Sequence, residues 1–140
     1  MKRKVLDIVE RVNKRKALGI IFNVPKDQEA QILNKLLDEK HLVFKGNDVY
    51  TSAMLGFRLS KKLKMKDVSI DMLPSLIEDK IIVITNADIL KESYTKVFQE
   101  SSKYKVPFLL LMNRDHKLTD FRKLPFYQHI LTIEQNYQTL

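Results

Sequence analysis

The chain has 140 residues, 44% hydrophobic and 30% charged, which suits one domain with a single core and excludes a disordered chain. Twenty-five Lys and Arg against 17 Asp and Glu leave a formal charge of +8, which favours polyanions such as nucleic acid, ribosomes or acidic membrane surfaces. With no cysteine there is no disulfide, thiol nucleophile or thiolate metal site. No apolar run reaches the ~20 residues of a membrane span, and no signal-peptide core follows Met1-Lys2-Arg3-Lys4, so a cytoplasmic location is expected.

Val5, Ile8, Val9 and Val12 recur at helical spacing and predict a helix over 4–16. Leu18 to Val24 is a run of β-branched and aromatic residues that reads as a strand, ended by Pro25. A second helix follows to about Lys40, with Ala30, Ile32, Leu33, Leu36 and Leu37 as its apolar stripe. His41 to Asp48 reads as a connector, because Lys45-Gly46-Asn47-Asp48 is turn chemistry.

Residues 51–64 form a third helix with Leu55, Leu59 and Leu63 on one stripe. Lys66 to Ile70 reads as a short strand, and Asp71 to Asp79 as a short helix with Pro74 near its start. Ile81 to Ile84 is a continuous apolar run, as in strands buried on both faces. Asn86 or Asp88 can cap the next helix, which carries Leu90, Tyr94, Val97, Phe98 and Ser101 on one side. Phe108 to Met112 is a second buried strand, then a loop from Asn113 to His116, a short helix to about Leu124 and a last strand from His129 to Ile133. Helices alternating with buried strands imply an α/β fold, a parallel or mixed sheet covered by helices.

The order of features from Leu55 to Phe108 resembles a known family. Met54-Leu55-Gly56-Phe57-Arg58-Leu59-Ser60-Lys61-Lys62 resembles the first helix of the YlxQ branch of the kink-turn RNA-binding ribosomal-protein superfamily. Lys80 to Asp88 is similar to its central strand and polar turn, and Tyr104-Lys105-Val106-Pro107-Phe108 to its Val-Pro strand entry. His129 to Ile133 matches the closing element. The resemblance covers roughly the last ninety residues. It implies a three-layer α/β/α sandwich with a mixed, roughly four-stranded sheet over 49–140. It also implies a non-catalytic, monomeric RNA-binding adaptor without a cofactor, associated with structured RNA or the ribosome. Residues 1–48 then form a helix-strand-helix extension, in which Leu18 to Pro25 faintly resembles the tail of the YlxR family.

The superfamily's recognition loop carries a glycine, a polar-acidic pair and a lysine. This chain has Lys66-Asp67-Val68-Ser69-Ile70-Asp71 there, with no glycine to let the backbone approach RNA. Electrostatic contacts are expected in place of kink-turn recognition. Arg58, Lys61, Lys62, Lys64 and Lys66 have no acid between them and can bind successive phosphates, or else form a solvated helix face. Asn86 and Asp88 begin a segment whose N–H groups can face an anion, and Arg114, His116 and Lys117 fall in the second RNA-facing loop. A second basic cluster, Lys2, Arg3, Lys4, Arg11, Lys14, Arg15 and Lys16, reads equally as a soluble surface helix.

Tyr94, Phe98, Tyr104, Phe57 and Phe121 read as core in preference to base-stacking groups. His41, His116 and His129 show no metal-ligand spacing. Gly46 to Ala53 imitates a phosphate-binding loop, but Tyr50-Thr51-Ser52 stands where Gly-Lys-[Ser/Thr] is required, which argues against nucleotide hydrolysis. Two alternatives to RNA binding are open: a protein-interaction module that keeps the fold, and a degenerate nucleotide-binding domain.

Overall fold

In the computed structural model, residues 2–22, 24, 26–91, 93–113 and 127–132 are described. The elements in chain order are α1 (Lys2–Arg15), β1 (Leu18–Phe22), α2 (Lys26–Asp38), β2 (Leu42–Lys45), α3 (Ser52–Leu63), α4 (Leu73–Ile77), β3 (Ile82–Thr85), α5 (Tyr94–Tyr104), β4 (Phe108–Leu111) and β5 (Tyr127–Thr132). Single 3₁₀ turns cover Gly46–Asp48, Ile70–Met72 and Ala87–Ile89.

The strands form one sheet in the order β2-β3-β4-β1-β5, and every pairing is parallel. Parallel neighbours cannot be joined by hairpins, so each strand is followed by a crossover. The step from β1 to β2 runs one way across the sheet, and the later steps run the other. Right-handed crossovers therefore place α2 on one face and α3, α4 and α5 on the opposite face.

Alternation of side chains along the strands builds the two apolar layers that this requires. Ile20, Phe22, Leu42, Phe44, Ile82, Ile84, Phe108 and Leu110 pack with Leu55 and Leu59 of α3, Leu73 and Ile77 of α4, and Tyr94 and Phe98 of α5. Ile21, Val83, Leu109 and Leu111 face Ile8, Val9 and Val12 of α1 and Ile32 and Leu36 of α2. Because β1, β3 and β4 are covered on both faces, all their residues are buried. The fold is α/β, with helices on both sides of the sheet.

The sheet differs in detail from the mixed, roughly four-stranded sheet expected. It has five strands among the described residues, all parallel, and two of them lie within 1–48. β1 sits between β4 and β5, and β2 pairs with β3, so a boundary at residue 48 falls inside a continuous sheet. The connector expected at 41–48 contains β2, whose Leu42 and Phe44 point into the core. Lys66 to Ile70 is not a strand; the chain there passes into the 3₁₀ turn at Ile70–Met72, with Val68 and Ile70 half-buried against the core. The helix expected to Leu124 lies outside the described residues.

Glycine is scarce, with three in the chain, so other residues take the left-handed conformation at turns. Lys16, Lys40, Lys64 and Lys105, each just after a helix, have φ between 52° and 63°. Gly46 is a packing glycine: a Cβ there would lie 2.4 Å from the Asn86 carbonyl oxygen and 2.8 Å from that of Thr85. The phosphate-loop imitation at Gly46 is thus accounted for by the close approach of the β2 and β3 ends.

Candidate nucleic-acid interface

The sequence places Arg58, Lys61 and Lys62 on α3, and the structure exposes all three. α3 starts on Thr51, whose hydroxyl oxygen accepts the Met54 N–H at 3.3 Å. It ends on Lys64, held at φ 56° with its N–H directed to the Lys61 carbonyl. Lys61 and Lys62 occupy the last turn, where the helix dipole favours positive charge. Met65 N–H closes the end on the Ser60 carbonyl at 2.9 Å. Lys64 and Lys66 follow, both exposed.

Among the described residues, Arg58 alone of these five has an acid partner, Asp48 at 4.0 Å. Both groups are well exposed, so the pair is weak, and Arg58 can be released to a phosphate at little cost. Phe57 breaks the expectation of a core residue. It stands on the outer side of α3, 56% exposed, with Lys61 Nζ 4.7 Å from its ring centroid. Tyr104 is also exposed at the end of α5, whereas Tyr94 and Phe98 are core as expected.

Asn86 and Asp88 belong to a different element, linked to Arg58 of α3 through the Asn47–Asp48 turn. They lie at the C-terminal edge of the sheet, in a row of polar side chains that ties three strand ends together. Asn86 Nδ2 donates to Asn47 Oδ1 after β2, and Asn113 Nδ2 after β4 donates to Asn86 Oδ1, both at 3.1 Å. Asp88 Oδ1 accepts the Asn113 N–H at 2.8 Å. The segment after Asn86 is one 3₁₀ turn, and α5 begins only at Tyr94, so neither residue caps that helix. α3 starts beside this edge, where Ser52 N–H meets Ser93 Oγ at 3.1 Å, and runs away from it for 12 residues. The helix itself is about 18 Å long, so Lys61 and Lys62 stand at the opposite end of α3 from Ser52. Arg114, His116 and Lys117 lie outside the described residues.

The second basic cluster is on the other face of the sheet, because α1 packs with α2. Lys14 and Arg15 are exposed there. Lys16 Nζ is occupied with Asn13 Oδ1 at 2.9 Å and the Glu78 carbonyl at 3.3 Å. The two clusters cannot bind one short stretch of polyanion together.

Two further places have chemical character. A cleft of about 390 Å³ lies between α2 and the open edge strand β2, lined by Glu29, Leu33, Leu37, Val43, Lys45 and Asn47 among others. An open parallel sheet also offers its C-terminal edge at the point where crossovers diverge, here between β1 and β4. The sequence after β1 is Asn23-Val24-Pro25-Lys26, without the glycines or the Lys-[Ser/Thr] of a phosphate cradle. Among the described residues, no group of three or more His, Cys, Asp or Glu could hold a metal ion, and no helix is long and apolar enough to cross a membrane.

His41 is buried, and its role is structural. Its Nδ1 accepts the Ile81 N–H at 3.1 Å, and Nε2 lies 3.3 Å from the Glu39 carboxylate. Burial lowers its pKa below 6.5, against the raising effect of Glu39. The sequence gives no sign of this role, because the partner is a backbone group forty residues away.

No protein-family model matches the chain, and no curated protein matches it. Among solved structures it is similar to a chain in the structure of Drosophila ORC bound to poly(dA/dT) DNA and Cdc6, with a TM-score of 0.57 and 14% identity. The match covers 95% of this chain and 28% of that one, and at this identity it speaks for the fold alone.

Proposed function

We propose that the chain is a non-catalytic, cytoplasmic nucleic-acid-binding protein that holds RNA by its phosphates on the outer face of α3. The observation behind this reading is the set Arg58, Lys61, Lys62, Lys64 and Lys66: five exposed cations within nine residues, with one weak acid partner among the described residues. A surface of this kind binds by releasing counterions from the polyanion. Structured RNA or the ribosome is the expected target, following the YlxQ resemblance. The neighbour's DNA-bound complex makes a duplex DNA of equal length the natural competitor. The test replaces Lys61, Lys62 and Lys66 with glutamate and measures RNA affinity by fluorescence anisotropy. Loss of binding with an unchanged far-UV spectrum is expected. Unchanged affinity would remove α3 as the binding face.

A protein-interaction role draws on a different place, the cleft beside β2. There Leu37 is exposed on α2 and the strand's outer edge has no neighbour within the described sheet. A partner that resists nuclease treatment and is lost with Leu37→Glu would favour that role. The nucleotide-binding reading has the divergence between β1 and β4 in its favour, and the residues after β1 against it. Failure of ATP and GTP to raise thermal stability is expected.

A further inference from the structure

We infer that the outer stripe of α3 is a stacking platform for an unpaired RNA base, with Phe57 as the ring on which the base lies. This rests on the reading of α3 as a phosphate-binding face and specifies the strand state it takes.

α3 buries Leu55 and Leu59 one turn apart, and Phe57 lies about 200° around the helix from Leu55, on the side facing water. It is the most exposed large hydrophobic residue among those described. A single exposed hydrophobic residue is ordinary. Its surroundings distinguish this one. Ala53, Gly56, Phe57, Ser60 and Lys61 fall at i, i+3, i+4, i+7 and i+8, one continuous stripe. Met54, three residues before Phe57, flanks the ring on one side; on the other stand Ala53 and Gly56, and a Cβ added at Gly56 would meet nothing within 4 Å. Ring access is thus open on that side. Glycine inside a helix costs about 1 kcal/mol relative to alanine, and no close packing requires it here.

On the other side the stripe is cationic. Lys61 Nζ sits 4.7 Å from the ring centroid, so an aromatic face and an ammonium group are presented together. Lys62 and Arg58 flank them, and Lys64 and Lys66 continue the charge past the helix end. An unpaired nucleotide offers a π-face next to a phosphate, which matches that pair of groups. A duplex keeps its bases stacked inside and would find only the cations. The charge also selects against the basic or neutral protein segments that an isolated exposed phenylalanine would otherwise attract. Among the described residues, the five cations face one acid, Asp48.

The experiment compares wild type, Phe57→Ala and Phe57→Trp with a short single-stranded RNA carrying 2-aminopurine and with an RNA duplex of equal length. Phe57→Ala is expected to weaken single-strand binding by about tenfold and to change duplex binding by less than about twofold. Phe57→Trp is expected to keep single-strand affinity, with its indole fluorescence quenched by the single strand and not by the duplex. Leu55 and Leu59 are untouched, so the fold is expected to be retained, as circular dichroism would report. Single-strand affinity unchanged in Phe57→Ala, or equal losses on both RNAs, would overturn the stacking platform. The charge-reversal triple variant separates the two readings. If it abolishes binding while Phe57→Ala does nothing, the phosphate face stands and the platform falls. If neither variant matters, both fall.

Discussion

Removing charge from α3 without reversing it gives the sharpest quantitative test of a phosphate-binding face. Each cation that neutralises a phosphate on single-stranded RNA adds about 0.7 to the slope of log affinity against log salt. If all five cations of the α3 end are engaged, the slope is about −3.5, and raising salt from about 50 to about 200 mM weakens binding about 130-fold. Lys61→Gln, Lys62→Gln and Lys66→Gln together leave Arg58 and Lys64. The expected slope is then about −1.4, and the same salt change costs about sevenfold. Lys64 is left in place because it closes the helix in the left-handed conformation, and Arg58 because it pairs with Asp48. The three substituted side chains are exposed, and the triple variant gives up only the stacking of the Lys61 ammonium on Phe57, a stabilisation of about 0.5–1 kcal/mol at such a site. Fluorescence anisotropy titrations at four salt concentrations measure the slope. A slope unchanged by the triple substitution, in a protein that remains folded, would refute the assignment of phosphates to this helix.

Other expectations concern the scaffold. The folded-state pKa of His41 is lowered, so protonation favours the unfolded chain. Stability is expected to hold above about pH 6.5 and to fall as the pH drops toward the lowered value. Urea unfolding at about pH 7.5 and about pH 5.5 checks this, and His41→Gln should flatten the difference. The groups around the imidazole are Glu39, Lys80 and Asp79, and Glu39 also pairs with Lys35 at 3.5 Å. Tyr94 is buried, its hydroxyl pushed well above its ordinary range, and it donates to the Val49 carbonyl. Tyr94→Phe leaves that buried acceptor without its bond and should cost about 1–3 kcal/mol in chemical denaturation. Lys105 ends α5 at φ 58°, so Lys105→Gly should stabilise by about 1 kcal/mol, or about 3 °C in melting temperature, without affecting RNA binding.

The sheet was legible where its strands are buried on both faces. Leu18 to Phe22, Ile82 to Ile84 and Phe108 to Leu111 each lie within a continuous apolar run, which no surface segment would carry. β2 escaped notice because it lies at the sheet edge and buries two of its four residues, between a histidine and a turn. The Val68 to Ile70 stretch misled in the opposite sense. Its β-branched residues pack against the helical face of the core from a loop, and propensity cannot distinguish that from a strand. Alternation of helices with buried strands allowed a parallel sheet, but strand order was not legible. The parallel insertion of β1 between β4 and β5 is a long-range choice that no local pattern encodes. The five cations are all exposed, three on the outer part of α3 and two just past its end. Asn86 and Asp88 were read as the start of a helix, and the segment that follows them is a single 3₁₀ turn instead. The exposure of Phe57 could have been found, since its angle from Leu55 and Leu59 follows from helix geometry.

That exposed aromatic and the cations beside it lie outside the buried core, and what they add to the fold is a surface contact between Lys61 and Phe57. α3 is anchored by Leu55 and Leu59 on its inner side and by Thr51 at its start. The outer side carries like charges within a Debye length of about 10 Å, which repel one another in the free protein. Folded-state repulsion of this kind is a cost that selection for stability alone would remove, and a bound polyanion converts it into attraction. Relief of this repulsion offsets the lost stacking of Lys61 on Phe57, so the stability of the free protein should change by less than about 1 kcal/mol when Lys61, Lys62 and Lys66 become glutamine. Moderate salt should raise the melting temperature of the wild type more than that of the variant. RNA should raise the melting temperature of the wild type more than that of the variant. A solvated helix face with no ligand would show the first two effects and not the third. The selective stabilisation of the wild type by RNA therefore separates a binding surface from a merely lysine-rich one.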